Sequence, residues 1–255
     1  EAGLRTHDKW QPFPEEVNRK IAGVVADLHF APTETARENL LAEGVDPETI
    51  HVTGNPVIDA LHMAVEMPFD LESSPLAGIP WEKKIILVTT HRRENFGRPL
   101  ENICAALKKI AQRYQDEVHL VYPVHPNPRV LEVIYPALGG IANISLIDPL
   151  DYLPMVQLMK RSHLVLTDSG GIQEEAPGLG KPVMVLRNKT ERPEGIESGT
   201  VKQVGTDFQK ISSEVYIILD RQDLYDQMAL ATNPYGDGQT AKYIASLILQ
   251  VGQEK

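Results

Sequence analysis

Short apolar runs alternate with longer amphipathic segments from residue 84 onward. The apolar runs predict strands, and the segments with helical spacing of apolar positions predict helices. The predicted strands are 85–90, 118–124, 144–147, 164–167, 182–186 and 200–205, and the helices between the first four are 100–114, 127–135 and 152–160. Apolar strands that alternate with helices are typical of βαβ units around a buried parallel sheet. The pattern therefore predicts an α/β fold, with one doubly wound parallel sheet over about residues 56 to 230.

The segment before this domain has a different pattern. Residues 15–43 carry helical spacing, and PTETARENLLAEG predicts a capped helix that stops at Gly44. Thr35 followed by Glu38 fits a capping box, and Thr33 is the alternative N-cap. IHV then predicts a short strand before a turn at Gly-Asn-Pro.

Polar side chains follow five of the predicted strands at the point where each strand ends. In parallel sheets of this kind, ligands bind outside the carboxyl ends of the strands. The five polar groups are His91 to Arg93, His125, Asp148 to Asp151, Ser169, and Arg187 to Arg192. We therefore expect one binding rim along this edge of the sheet.

The stretch LVLTDSGGIQEEAPGLGKP (164–182) carries the clearest chemical signal. A strand meets a helix through Ser169, Gly170 and Gly171. The first N–H groups of such a helix are unpaired and attract a phosphate, while glycine permits close approach. Glu175, one turn further, is placed to accept hydrogen bonds from ribose hydroxyls. The alternative is a glycine pair that only packs a helix against a sheet.

Composition narrows the function classes. The 255 residues carry a net charge of −10, which argues against a nucleic-acid or anionic-membrane surface. The single cysteine, Cys104, lies in an apolar helical pattern and is expected to be a core thiol, which favours a reducing, cytoplasmic compartment. No His/Cys cluster has metal-ligand spacing and no NAD fingerprint is present, so neither a metal nor a cofactor is expected. The loop-like start EAGLRTHDKW leads us to expect that a preceding part of the natural protein is absent.

Seven segments resemble the non-hydrolysing UDP-N-acetylglucosamine 2-epimerases in sequence and order. They are EAGLRT, PEEVNR, TTHRRENFG, PVHPNP, DYLPM, TDSGGIQEEAPGLGKP and ERPEG. The resemblance implies a glycosyltransferase-B-like architecture of two Rossmann-type domains. Residues 1–54 would be the tail of the N-terminal domain, 55–235 the C-terminal UDP-binding domain, and 236–255 a helix that crosses back to the first domain.

The same resemblance implies roles for individual residues. Leu150 and Met155 match a uracil pocket and are expected to act mainly through backbone groups. Ser169, Gly170 and Gly171 match the diphosphate-binding turn, Glu175 the ribose carboxylate, and Arg192 a cation near the phosphates. Glu1, Glu15 and His91 match catalytic groups, and Arg93 and His125 match residues that hold a second UDP-N-acetylglucosamine as an allosteric activator in bacterial members. A homodimer is the expected assembly.

The implied reaction is reversible epimerisation at C2 of UDP-N-acetylglucosamine, for cell-surface polysaccharide synthesis. The C2 hydrogen is poorly acidic, and the family solves this by eliminating UDP and adding it back. Proton transfer suits carboxylates whose pKa is raised by burial, which is our expectation for Glu1 and Glu15. From sequence context alone, Glu15 could equally begin a helix as an acid that favours the helix dipole.

Two other interpretations stay open at this point. One is a related nucleotide-sugar enzyme, either a glycosyltransferase or a hydrolysing epimerase that releases free N-acetylmannosamine. The other is a UDP-binding module without activity. Under the epimerase interpretation we expect the printed chain by itself to bind UDP weakly and to turn over little.

Overall fold

The computed structural model describes residues 1–253. Its first elements are α1 (Glu15–Val25), β1 (His29–Ala31), α2 (Glu34–Ala42), β2 (Ile50–Val52) and α3 (Pro56–Glu66). β1 and β2 form a small parallel sheet in which His29 pairs with Ile50. A core of Leu4, Ala31, Ala36, Leu40 and Ile50 packs around it.

Two details of this segment differ from the sequence prediction. Helical spacing over 15–43 is interrupted by β1, because Ala31 is fully buried and the β1 backbone pairs with β2 rather than continuing a helix. The N-cap of α2 is Thr33 and not Thr35, since the Thr33 side chain accepts a hydrogen bond from the N–H of Ala36 at 3.2 Å. Gly44 follows the end of α2 with φ of +84°, which confirms it as the helix stop.

Six further strands form the main sheet, and eight helices complete the chain through residue 253. The strands are β3 (Lys84–Thr89), β4 (Val118–Pro123), β5 (Ile144–Ile147), β6 (Leu164–Thr167), β7 (Val183–Val185) and β8 (Val201–Gln203). The helices are α4 (Arg98–Arg113), α5 (Pro128–Leu138), α6 (Tyr152–Arg161), α7 (Gly170–Gly178), α8 (Pro193–Glu197), α9 (Phe208–Asp220), α10 (Gln222–Ala229) and α11 (Thr240–Gln253). The predicted elements of this region are confirmed, with boundaries shifted by three residues or fewer.

The main sheet is wholly parallel, with strand order β5-β4-β3-β6-β7-β8. If these six strands are numbered from 1 in chain order, the arrangement is the Rossmann order 3-2-1-4-5-6. Successive strands are added on one side of the first strand and then, from the fourth strand on, on its other side. β3 and β6 are therefore the two strands at the topological switch point. All five polar segments predicted from the sequence follow carboxyl ends of these parallel strands, so their place along one edge of the sheet is confirmed, and ligand binding at that edge stays a prediction.

Alternate residues of β3 face the two sides of the sheet. Ile86 and Val88 pack into a core with α4, α5 and α9, whereas Ile85 and Leu87 pack into a second core that includes residues of α6 and α7. This alternation follows from the two-residue repeat of a strand, and its apolar residues on both faces identify a sheet covered on both sides. Cys104 lies in the first core, as expected, and burial raises the pKa of its thiol to about 12.

α3, which precedes the main sheet, packs against α11, the last helix of the chain up to residue 253. The backbone N–H groups of Thr240 and Ala241, at the start of α11, donate to the Asp59 carboxylate of α3 at 3.2 and 2.9 Å. The predicted terminal helix of 236–255 thus begins at Thr240, and residues 254 and 255 lie outside the described part of the chain. Within residues 1–253, no helix is long and apolar enough to cross a membrane, and no group of three or more His, Cys, Asp or Glu side chains is arranged to hold a metal ion.

Candidate functional site

The amino terminus of α7 is open. Ser169 is its N-cap with an extended backbone, but its side chain makes no capping hydrogen bond. The Ser169 N–H instead donates to the hydroxyl of Thr167, the last residue of β6, at 2.9 Å, and this bond holds the turn against the end of the strand. The first N–H groups of α7 are thereby left without a side-chain cap, as an anion-binding turn requires.

The two glycines of this turn serve different purposes. A Cβ on Gly170 would lie 2.6 Å from Nη1 of Arg192, so Gly170 is required for packing. A Cβ on Gly171 would meet only Oε2 of Glu175, at the ordinary contact distance of 3.6 Å. Neither residue has a positive φ. Space beside the helix end, rather than backbone strain, therefore accounts for both glycines.

A pocket of about 190 Å³ opens between β3, β4 and the turn before α7. Five of the predicted site residues line it: His91, His125, Leu150, Met155 and Ser169. The backbone N–H of Met155 is already bonded to the carbonyl of Asp151 at 3.0 Å, so it has no N–H to offer a ligand. The sequence prediction that Met155 acts mainly through its backbone is therefore restricted to its carbonyl group.

Glu175 lies one turn inside α7 with only 8% of its surface exposed. Its Oε1 is buried and has no hydrogen-bond partner. Burial raises the pKa of the Glu175 carboxyl, Tyr152 opposes this shift, and neighbouring Glu174 adds to it. A buried acceptor without a partner indicates a place where a ligand donor is expected.

Arg192 lies against Gly170, but three carboxylates already engage it. Its guanidinium donates to Glu174 at 2.5 Å, to Glu1 at 3.2 Å and to Glu191 at close range. Burial opposes the charge of Arg192, and the surrounding carboxylates more than compensate, so its pKa is raised. Arg192, the predicted cation, therefore lies beside the turn at Ser169 to Gly171, and its charge is largely neutralised by the three carboxylates.

Glu1 belongs to the same ion network. Its carboxylate contacts Arg19 at 2.9 Å and Arg192 at 3.2 Å. Burial alone would raise the pKa of Glu1, but the two arginines lower it. The sequence expectation of a raised pKa is wrong for Glu1, because the sequence alone did not reveal these partners.

Glu15 lies in the first turn of α1, as the helix-start interpretation predicted, and also faces the main sheet. Its Oε1 accepts a hydrogen bond from Nη1 of Arg92 at 3.2 Å, and its Oε2 is buried without a partner. A second pocket of about 600 Å³ is lined by Glu15, Arg93, His91 and the aromatic residues Trp10 and Phe13, among others. Glu15 is thus adjacent to His91, but Glu1 lies at the Arg192 side of the network.

His91, which was predicted to be catalytic, lies close to both residues that were predicted to be allosteric. Its ring stacks on that of His125 with centroids 6.1 Å apart, and it lines both pockets. Arg93 is exposed and lines the larger pocket, whereas His125 lines the smaller one. The two predicted allosteric residues therefore border different pockets that share His91.

Several polar residues of the site were given no individual role from the sequence. Arg92, Arg187 and Glu191 lay inside the predicted rim, whereas Arg19, Tyr152, Asp168 and Glu174 lay outside it. Asp168, fully buried after β6, accepts hydrogen bonds from the 91–95 loop, and Glu191 bonds three arginines. Burial alone would raise the pKa of Glu191, but Arg192, Arg187 and Arg19 lower it to about 2. Arg92, Asp168, Arg187 and Glu191 follow strand ends, which was their sequence signal, whereas Arg19, Tyr152 and Glu174 lie within helices and carried no such signal.

The strand order and the uncapped turn at the switch point define an α/β protein of the Rossmann type. Its structural neighbours share a glycosyltransferase-B-like fold built from domains of this type. The profile of the UDP-N-acetylglucosamine 2-epimerase family matches residues 1–249. The chain belongs to this family.

Individual relatives agree with this assignment. The UDP-N-acetylglucosamine 2-epimerase of Escherichia coli K12 is 53% identical over an alignment of 250 residues that covers 96% of this chain and 66% of the relative. The Neisseria meningitidis UDP-GlcNAc 2-epimerase bound to UDP-GlcNAc superposes with a TM-score of 0.91 at 43% identity, covering 98% of this chain and 68% of that one. The Staphylococcus aureus MnaA structure with UDP gives a TM-score of 0.90 at 49% identity, covering 97% and 67%. The chain spans about two thirds of the length of these relatives.

Proposed function

We propose that the intact protein containing this chain interconverts UDP-N-acetylglucosamine and UDP-N-acetylmannosamine without hydrolysis. One observation carries the proposal: the uncapped α7 terminus lies beside a buried carboxylate oxygen of Glu175 that has no partner. A nucleoside diphosphate supplies what both groups need, since its phosphates accept from N–H groups and its ribose hydroxyls donate to a carboxylate.

In this proposal each part of UDP has its own place. The diphosphate binds at Ser169 to Gly171, and the ribose hydroxyls bond to Glu175. Uracil lies in the pocket beside Leu150 and Met155, where the Leu150 backbone groups have no hydrogen-bond partner within the described part of the chain. The sugar then extends toward His91 and the carboxylates of residues 1–54.

The chemistry proceeds by elimination and re-addition. A carboxylate base takes the C2 proton, the C1–O bond breaks, and UDP leaves with the bonding electrons, which gives a 2-acetamidoglucal. UDP then adds to C1 while an acid delivers a proton to the opposite face of C2. Glu1 and Glu15 are our candidates for the two proton carriers. Arg19 and Arg192 keep Glu1 ionised, as a base must be, although the lowered pKa also reduces its basicity.

Departure of UDP places negative charge on its terminal phosphate. We assign stabilisation of this charge chiefly to the α7 N–H groups, because fixed donors act without reorganisation, and secondly to His91 when its ring is protonated. Arg192 is assigned a smaller share, since three carboxylates already balance its charge.

The proposal is tested by incubating the intact protein with UDP-N-acetylglucosamine in deuterium oxide. We expect UDP-N-acetylmannosamine with deuterium at C2, detected by proton NMR and mass spectrometry. Turnover without deuterium at C2 would rule out the mechanism. Free N-acetylmannosamine plus UDP would identify a hydrolysing enzyme, sugar transfer to an acceptor would identify a glycosyltransferase, and UDP binding without turnover would identify an inactive module.

Assembly and regulation are part of the same proposal. We propose a cytoplasmic homodimer in which a second UDP-N-acetylglucosamine binds at Arg93 and His125. The shared border at His91 supports communication between the two sites. Light scattering would report the mass of the particle, and sigmoidal kinetics that Arg93→Ala abolishes would support the effector site.

A further inference from the structure

Asp168 holds the loop that carries His91. The Asp168 side chain is fully buried between β6 and α7. It accepts hydrogen bonds from the backbone N–H groups of His91 and Arg92 at 3.0 Å, and from Nδ2 of Asn95 at 2.9 Å. This carboxylate therefore fixes the end of β3 relative to the end of β6, across the switch point of the sheet.

The same carboxylate also lies beside the His91 ring. Nδ1 of His91 is 3.2 Å from Oδ1 of Asp168, and the ring itself borders the pocket that contains Ser169. The two nitrogens lie on different sides of an imidazole ring, so Nε2 is the nitrogen left for a ligand. A carboxylate oxygen at this distance favours the neutral tautomer that carries its proton on Nδ1, because the N–H dipole then points toward the negative charge.

We propose that Asp168 is a positioning residue that holds His91 with its proton on Nδ1 and presents Nε2 to the diphosphate. The role toward UDP rests on the proposed function, whereas the tautomer of His91 in the free protein does not. Asp168 itself touches no ligand and acts only through His91.

This arrangement gives His91 a defined proton-transfer role. Burial lowers the pKa of His91; Asp168 opposes this, and Arg92, His125 and Arg187 reinforce it. The lowered pKa favours the neutral ring before UDP binds, in which Nε2 has a lone pair that can accept a proton. The negative diphosphate favours the protonated ring, so Nε2 takes a proton from solvent and donates it to a phosphate oxygen, while Asp168 balances the charge of the imidazolium.

The competing explanation is that Asp168 only holds the loop in place. A variant at Asn95 distinguishes the two explanations. Asn95 bonds both Asp168 and the carbonyl of Leu186, so it helps to hold the loop but lies apart from the His91 ring contact. Asn95→Ala therefore weakens the loop and leaves the carboxylate beside Nδ1. Asp168→Asn keeps the side-chain shape and removes the charge beside Nδ1.

The first test needs neither a variant nor a substrate. Nitrogen-15 NMR of the intact, ligand-free protein distinguishes the two neutral tautomers of histidine, with the His91 signals assigned from their loss in His91→Gln. We expect the proton on Nδ1. A proton chiefly on Nε2 would overturn the proposal, whether or not the protein is an epimerase.

The second test compares the two variants by NMR and kinetics. Asp168→Asn should lower the His91 pKa, remove the preference for Nδ1–H and reduce kcat by about 10²-fold, the usual contribution of a positioned acid or base. Asn95→Ala should keep the tautomer and the His91 pKa, with a smaller decrease in kcat. Equal tautomer populations and His91 pKa values in wild type and a folded Asp168→Asn would overturn the proposal. A wild-type protein with Nδ1–H but without epimerase activity would refute the proposed function alone.

Discussion

Glu175 and Arg192 are both buried beside the turn at Ser169 to Gly171, but they differ in their hydrogen-bond partners. Arg192 has three carboxylate partners, whereas Oε1 of Glu175 has none. Buried polar groups normally have a hydrogen-bond partner, so an unpaired carboxylate oxygen indicates that a donor is missing from the free protein. At the scale of single residues, this contrast identifies Glu175 rather than Arg192 as the group that gains most from a ligand.

Glu175→Gln should make the fold more stable and UDP binding weaker. The pKa of Glu175 is higher in the folded than in the unfolded protein. The protonated side chain therefore contributes most to folding stability below the unfolded pKa, and this contribution is lost as pH rises through the folded pKa. The variant should therefore have a higher Tm at pH 7, with the gain disappearing near pH 4. UDP affinity should fall about tenfold or more, since a hydrogen bond to a charged group is lost. Unchanged affinity by calorimetry would remove Glu175 from the nucleotide site.

Gly170→Ala and Gly171→Ala form a matched pair. The added methyl group at Gly170 would displace Arg192, and we expect a loss of about 1–3 kcal/mol in unfolding free energy. At Gly171 the methyl group has room within the protein, so stability should change by less than about 1 kcal/mol. Both variants should weaken UDP binding, the second because the methyl group obstructs the phosphate. Urea unfolding and UDP titration together check this, and full UDP affinity in Gly171→Ala would contradict the phosphate site.

Elements in this protein are positioned by short polar contacts at their ends. The N-cap of α2 is Thr33, whose hydroxyl accepts a hydrogen bond from the N–H of Ala36 and donates one to Glu194 of α8. The capping-box pattern at Thr35 and Glu38 looked equally suitable in sequence. Thr33 is favoured because β1 ends at Ala31, which places Thr33 in the extended conformation that an N-cap needs.

Thr33→Ala should destabilise the protein by about 1 kcal/mol or more, since it removes both the cap and the bond to Glu194. Thr35→Ala, inside the same helix, should have little effect. Thermal unfolding of the two variants is a direct comparison. A larger loss for Thr35→Ala would restore the capping box as the true start of α2.

On the scale of the whole molecule, residues 187–194 join the small sheet to the main one. Lys189 contacts Asp8 at 2.9 Å, Glu191 contacts Arg19 at 3.4 Å and Arg192 contacts Glu1 at 3.2 Å. Glu194 adds its bond with Thr33. Because Arg192 of this segment also lies against Gly170, the proposed phosphate site and the contact between the sheets share one buried charge network.

Glu191→Gln should cost about 3–5 kcal/mol at pH 7, the usual effect of breaking a buried ion pair. The folded pKa of Glu191 is depressed to about 2, so its contribution is present above the unfolded pKa and is lost as pH falls from about 4.5 toward 2. The stability difference between wild type and variant should therefore shrink over that range. Asp223→Asn, which breaks an exposed pair with Arg221, should leave unfolding unchanged at each pH. A pH-independent difference for Glu191→Gln would contradict this account.

The sequence by itself determined the main-sheet strands, most helices and the polar rim, because these depend on the spacing of apolar residues and on where each strand ends. It also pointed to the Ser169 turn and to Glu175, which lie within one local segment. Only the tertiary structure decided the partners of the charged groups. His91 meets Asp168 from 77 positions away, and Thr33 meets Glu194 from 161 positions away. Local patterns do not encode such contacts, and a pKa follows its partners, so the ionised state of Glu1 became visible only once Arg19 and Arg192 were located beside it.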